Sequence, residues 1–204
     1  VAEGLSGADC FAGMDNAYKS DLNALVLDFP DTDDVLSWCW VPRKHPDIVK
    51  LRKDYGDYLL TAGDEEIDFE ELYGHVQQIF AEFNVREVGF DPNKSMEIRN
   101  LFKKDYPEEF FCTIAQNVTN LSEPLKKIIG DVNNMNVRHT CNPLFTWQIS
   151  NTDVKEDNRN DFMVVKPKGA DSKRKKIDAT VAWIMARCLR LAAEEAEDYS
   201  SWVT

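Results

Sequence analysis

Three short apolar runs, each closed by turn-forming residues, fill the first 42 positions; beyond them apolar runs alternate with amphipathic helical stretches. This order constrains the fold more than any other feature. Residues 9–15 (DCFAGMD) and 23–29 (NALVLDF) read as the strands of a hairpin, and DVLSWCWVP is a third strand stopped by Pro42. Residues 46–58 carry Ile48, Leu51 and Tyr55 at helical spacing, while LLTAGDEEID stays open between a short strand and a turn. Residues 69–83 form an amphipathic helix with Asp68 near its start. A strand at 85–91, a helix from Pro92 to about Lys104, a strand at 110–116 and a helix at 121–135 follow. NPLFTWQISN fits helix or strand, DVKEDNRNDFMVVKPKG a polar-tipped hairpin, and a long helix is expected from about residue 173 to 196. The sum is an α/β fold. Its mixed sheet starts as an antiparallel meander and continues with parallel strands, with helices on both faces and an added β-hairpin.

A chain of 204 residues with 43% hydrophobic content suits one domain with a proper core. No boundary to a second domain and no repeat is visible. No apolar run reaches the roughly 18 residues that span a bilayer, and no export signal is seen. Cys10, Cys39, Cys112, Cys141 and Cys188 are scattered, without a CxxC pair. That speaks against a zinc site or disulfide scaffold and fits a reducing cytoplasm. Trp38, Trp40, Trp147 and Trp183 read as core, and His45, His75 and His139 have no partner at ligand spacing.

The net charge of −12 argues against a general nucleic-acid binder. The charge is polarised, however. KPKGADSKRKK (166–176) holds six basic residues against Asp171, while acids gather in DFPDTDD and GDEEIDFEE.

Two acids stand at the carboxyl ends of strands, Asp15 and Asp91, where open α/β sheets build ligand sites. A third, Asp178, shares a helical stripe with Val181, Ala182 and Met185. An acid on an inward stripe costs several kcal/mol unless it is paired or metal-bound. Each acid also has a local reading. Asp15 and Asp21 fit turns, Asp91-Pro92 fits a helix start, and Asp178 fits an acid at the positive end of a helix. Jointly the three suit hard divalent cations, which take carboxylate oxygens and need no Cys or His.

The chain resembles the nuclease domain of tailed-bacteriophage terminase large subunits, a ribonuclease H-like family. DCFAGMDNAYKSDLNALV resembles its opening hairpin, VGFDPNKSM the strand with its second acid, and AQNVTNLSEPLKKI its Gln-containing segment. NPLFTWQISNTDVKEDN and KKIDATVAWIMA resemble its C-terminal signature. The resemblance implies a metal-dependent endonuclease that cuts concatemeric double-stranded DNA with two Mg²⁺ or Mn²⁺ ions. It implies Asp15, Asp91 and Asp178 as catalytic metal ligands and Asp21 as an auxiliary one. Asn-Ala after Asp15 and Ala after Asp178 depart from the usual Leu-Ser and Gly.

The family's full-length proteins carry an ATPase motor. GxxxxGK[ST] is absent here, so residues 1–204 are expected to be the nuclease domain alone, without ATP hydrolysis. The implied partners are the ATPase domain, small terminase subunit and portal, in the host cytoplasm and not on a membrane. Lys19, Lys94, Lys166, Lys168, Lys173, Arg174 and Lys175 are the candidate DNA contacts. Two other readings stand beside this one: a non-catalytic docking module using the acidic patches, and another ribonuclease H-fold phosphotransferase such as a junction resolvase or transposase core.

Overall fold

The computed structural model describes residues 4–19, 21–166 and 175–201, the last three for backbone only. Strands β1 (Asp9–Asp15), β2 (Asn23–Asp28) and β3 (Asp34–Val41) form the antiparallel meander expected. β4 (Leu59–Thr61) and β5 (Asn84–Phe90) pair in parallel with β3 and β1, and β6 (Phe111–Thr113) in parallel with β5. The resulting order is β4-β3-β2-β1-β5-β6, and the two-residue strand β7 (Arg138–His139) pairs with the start of β3. Strands β8 (Asp153–Glu156) and β9 (Phe162–Val165) make the separate hairpin.

Alternation along β1 shows how the sheet is packed on both sides. Cys10, Ala12 and Met14 join one core, shared with α2 (Phe69–Phe80) and α3 (Met96–Asp105). Phe11 joins the other, shared with α1 (Ile48–Tyr55), α4 (Val118–Asn133), α5 (Pro143–Ser150) and α6 (Asp178–Ser201). Asp68 accepts from the N–H groups of Glu70 and Glu71 and so caps α2. Trp40 and Trp183 are core as expected, whereas Trp38 and Trp147 are only half-buried. Trp202 lies outside the described residues.

Two helix starts differ from the sequence expectation. Pro92 does not open α3; residues 92–94 turn, and the helix begins at Met96. The reason is an Asx turn: Asp91 Oδ1 accepts from Asn93 N–H at 2.9 Å, and Ser95 Oγ donates to the Asp91 carbonyl at 2.5 Å. The last helix begins at Asp178, not near residue 173, since residues 175–177 are already non-helical. NPLFTWQISN resolves as α5, with Asn142 accepting from Leu144 and Phe145 N–H and Pro143 in its first turn.

α6 is the longest element and crosses the sheet at its middle. Gly13 allows this: a Cβ there would lie 1.9 Å from the Ala182 carbonyl oxygen, which is backbone and cannot swing away. Gly13→Ala is therefore expected to cost on the order of 3 kcal/mol, at the upper end of overpacking effects. Urea unfolding checks this; a loss under about 1 kcal/mol would mean that the helix is free to lift.

Candidate metal centre

The register of the central strands brings the first two acids together. Met14 pairs with Phe90 across the parallel β1–β5 ladder, so Asp15 and Asp91 leave adjacent strands at one level. Neighbouring strands lie about 4.8 Å apart. Both acids also share a face. Gly13 faces α6, and a Cβ on Gly89 would lie 3.4 Å from Leu189 Cδ1 of the same helix. Residues two further along, Asp15 and Asp91, project to that side.

The third acid arrives along α6. Ala182 touches Gly13, and Asp178 lies one helical turn before Ala182, about 6 Å along the axis. Asp15 lies two strand residues beyond Gly13, about 6.6 Å on. Strand and helix run in opposite directions, because Arg187, further along α6, meets Asp28, the register partner of Phe11. The two displacements therefore match, and Asp178 comes level with Asp15.

All three carboxylates are buried: Asp15 is 9% exposed, Asp91 6% and Asp178 5%. Burial pushes the Asp15 carboxyl up to about 8, with the negative fields of Asp178 and Asp91 adding to it; Lys94 and the Gln116 amide pull the other way. Burial likewise raises Asp178, to about 6, helped by Asp21 and opposed by Lys166 and Lys176. Few donors serve these oxygens. Gln116 Nε2 reaches Asp15 Oδ1 only at 3.5 Å, and Asp178 Oδ2 is buried with no hydrogen-bond partner among the described residues. Asp91 Oδ1 is occupied by Asn93.

Among the described residues no three acidic, His or Cys side chains form a ready-made cation cage. Carboxylates in such a cluster repel one another until a cation sits between them. The donor set itself fits a hard divalent ion: oxygen only, one buried oxygen unpartnered, and two carboxyls held short of ready ionisation.

The remaining predicted residues lie around this centre in different ways. Asp21 is one-third exposed and ion-paired with Lys176 at 2.7 Å and Lys166 at 3.4 Å. Half-burial alone would push its carboxyl up, but the two ammonium groups outweigh it and hold it below the ordinary carboxylate value. Lys94 is exposed and close enough to act on Asp15. Lys19 is exposed and ion-paired with Glu66. Lys175 is half-buried. Lys168, Lys173 and Arg174 lie outside the described residues.

Sequence reasoning passes over three residues here. Lys176 stands in the basic strip but is mostly buried, and among the described residues it supplies the cation nearest Asp21. Gln116 stands in the Gln-containing segment without an assigned role, and among the described residues its side chain donates to Asp15. Gln148, fully buried in α5, accepts from Ala179 N–H at 2.8 Å, next to Asp178. A glutamine inside an otherwise apolar run was the available signal.

Residues 2–195 match the sequence profile of the terminase large subunit endonuclease domain. The HK97 bacteriophage large terminase is similar in structure, with TM-score 0.75 and 21% identity over 91% of this chain and 40% of that one. The large terminase nuclease from thermophilic phage G20c with bound magnesium superposes with TM-score 0.56 and 8% identity, over 87% of this chain and 79% of that one. Protein YmfN of Escherichia coli K12 is 28% identical over 90% of this chain. The chain spans 44% of YmfN and thus less than half of that relative. With its ribonuclease H-like mixed sheet, the chain belongs to the endonuclease-domain family of terminase large subunits.

Proposed function

We propose that this chain is a Mg²⁺- or Mn²⁺-dependent endonuclease that cleaves concatemeric double-stranded DNA during viral packaging, with Asp15, Asp91 and Asp178 as the ligands of two ions. One observation carries the reading. At one end of the β1–β2 hairpin the buried acid Asp28 is matched by Arg187 and Arg190. At the other end the buried Asp15 lies in the negative fields of the buried Asp178 and Asp91, and Asp178 Oδ2 has no hydrogen-bond partner among the described residues. Buried acids at the two ends of the sheet are treated oppositely. The second set is costly unless a cation outside the chain completes it. The magnesium bound in the G20c nuclease supports that cation being a divalent metal.

When bound, such ions activate water and stabilise the leaving oxygen of a phosphodiester. The chain supplies the remainder. The sheet and α6 hold the three carboxylates, and Gln116 orients Asp15. Lys94 and Lys166, both exposed, offer positive charge to the DNA backbone beside an otherwise repelling surface, while Lys176 is buried against Asp21. Contacts to the backbone carry no base information, so low sequence selectivity is expected. Asp21 serves as an auxiliary acid that keeps Lys176 and Lys166 near the centre. The partners proposed are the ATPase domain, small terminase subunit and portal, in the host cytoplasm. No helix among the described residues is long and apolar enough to cross a membrane.

The docking reading loses ground because its acidic patches are largely engaged. Asp28 is buried, Asp33 and Asp34 pair with Arg190 and Arg138, and Glu71 pairs with Arg43. Supercoiled plasmid is expected to be cut in Mg²⁺ or Mn²⁺ and left intact in EDTA, with no preference for a four-way junction. Metal-independent cutting, or cutting confined to junctions, would overturn the proposal.

A further inference from the structure

Gln148 is 0% exposed on a short helix whose other buried side chains, Leu144 and Phe145, are apolar. A buried amide costs about 1–3 kcal/mol unless its hydrogen bonds are made. Its Oε1 accepts from Ala179 N–H at 2.8 Å, and among the described residues its Nε2 meets only the weak acceptor Cys39 Sγ, at 3.2 Å. The amide is thus well used on one side alone, the side that faces α6. Four residues on, Thr152 Oγ1 bonds to Thr180 Oγ1 at 3.0 Å, and Asn151 Nδ2 donates to the Lys176 carbonyl at 3.2 Å. The end of α5 therefore grips residues on both sides of Asp178.

The first N–H groups of a helix have no partner within it. A Ser, Thr, Asp or Asn just before the helix ordinarily supplies one. Here that residue is Ile177, whose side chain has no oxygen. Gln148 takes over the capping from another element. The Asp178 carboxylate is hydrogen-bonded by its own N–H, and by occupying the Ala179 N–H Gln148 withholds the next donor of the helix from it. That agrees with Asp178 Oδ2, buried and without a hydrogen-bond partner among the described residues.

We propose that Gln148, seconded by Thr152, is a positioning residue that holds the Asp178 carboxylate open toward the metal. The inference rests on the metal-nuclease reading given above. Groups that orient metal ligands typically change metal affinity 10–100-fold when lost.

The test is Mn²⁺ titration by calorimetry on the full 204-residue chain, beside plasmid cleavage, for wild type, Gln148→Met and Thr152→Val. Gln148→Met keeps size and removes the acceptor. It is expected to weaken Mn²⁺ binding about 10–100-fold and to lower kcat, while KM for DNA stays within about twofold. Folded Gln148→Met with wild-type Mn²⁺ affinity would make Gln148 a packing residue only and overturn the proposal, whatever its melting temperature. Should Gln148→Met not fold, Thr152→Val decides: a loss of about threefold or more in Mn²⁺ affinity supports the grip, and unchanged affinity overturns it. A wild-type chain that binds no Mn²⁺ defeats the metal-nuclease reading itself, an outcome distinct from equal binding by wild type and variant.

Discussion

Asp178→Asn is expected to melt higher than wild type in EDTA at pH 9, by roughly 4–12 °C, while losing metal-dependent cleavage about a thousandfold or more. The two effects have one cause. In the metal-free fold Asp178 and Asp15 are raised from the ordinary 3.8 to about 6 and about 8. An acid raised by folding contributes stability that is fully present below pH 3.8 and is lost as pH climbs through its folded value. At pH 9 the wild-type fold therefore carries clustered buried charges, and each tenfold change in a group's proton affinity corresponds to about 1.4 kcal/mol. For Asp178 the cost is on the order of 2–3 kcal/mol, and a chain of this size melts about 2–4 °C lower per kcal/mol lost. Asparagine keeps the shape and removes one charge. At pH 5 the folded acid is largely protonated but the unfolded one is not, so about half of the cost remains, and the difference between variant and wild type should vanish only below about pH 3.8.

Added Mn²⁺ reverses the order. At a hundred times its dissociation constant a ligand stabilises by about 2.7 kcal/mol, and on the proposed function the variant lacks one of the three carboxylates that would hold it. The cleavage loss follows from the several kcal/mol of transition-state stabilisation that a bound metal supplies. Melting curves at pH 5 and 9, with EDTA and with Mn²⁺, check all of this. A variant that melts below wild type in EDTA at pH 9 would mean that the acids are not strained there.

Much of this centre is legible in the sequence because it depends on strand ends. Asp15 and Asp91 close apolar runs, and a parallel neighbour relation sets two strand ends side by side. Asp178 is legible from its inward stripe with Val181, Ala182 and Met185, all buried. Local chemistry with two solutions is not legible. Asp91-Pro92 reads as a helix start, whereas the Asn93 N–H bond to Asp91 Oδ1 and the Ser95 bond to the Asp91 carbonyl make it an Asx turn. The start of α6 lies later than its sequence pattern implies, because its first-turn N–H is capped by Gln148, 31 residues away. DFPDTDD reads as a surface patch, although its first residue is fully buried. The pairing of Asp28 with Arg187, across 159 residues, has no local signature, and that pairing leads to the second large effect.

Asp28→Ala is expected to destabilise the fold by about 3–5 kcal/mol, the range for orphaning a buried charge. Asp28 is 0% exposed and accepts from Trp183 Nε1 at 3.1 Å, Arg187 Nε at 2.6 Å and Arg190 Nη1 at 3.0 Å. Arg187 is itself 1% exposed and also donates to Asp131 of α4 at 2.5 Å, so it ties β2 and α4 to α6. Alanine would leave the buried Arg187 with Asp131 alone and the Trp183 indole N–H without its carboxylate acceptor. The melting temperature should fall roughly 6–20 °C. Asp28→Leu combined with Arg187→Met should cost well under the sum of the two single changes, with a coupling of about 2 kcal/mol or more, because neither partner is then stranded. Mn²⁺ affinity of the folded fraction should stay near wild type, since this cluster grips the end of the hairpin away from Asp15. Urea unfolding of the two singles and the double measures the cycle. Additive costs would mean that the cluster acts as separate contacts, and α6 would then owe its position over the sheet to apolar packing and the Gly13 approach alone.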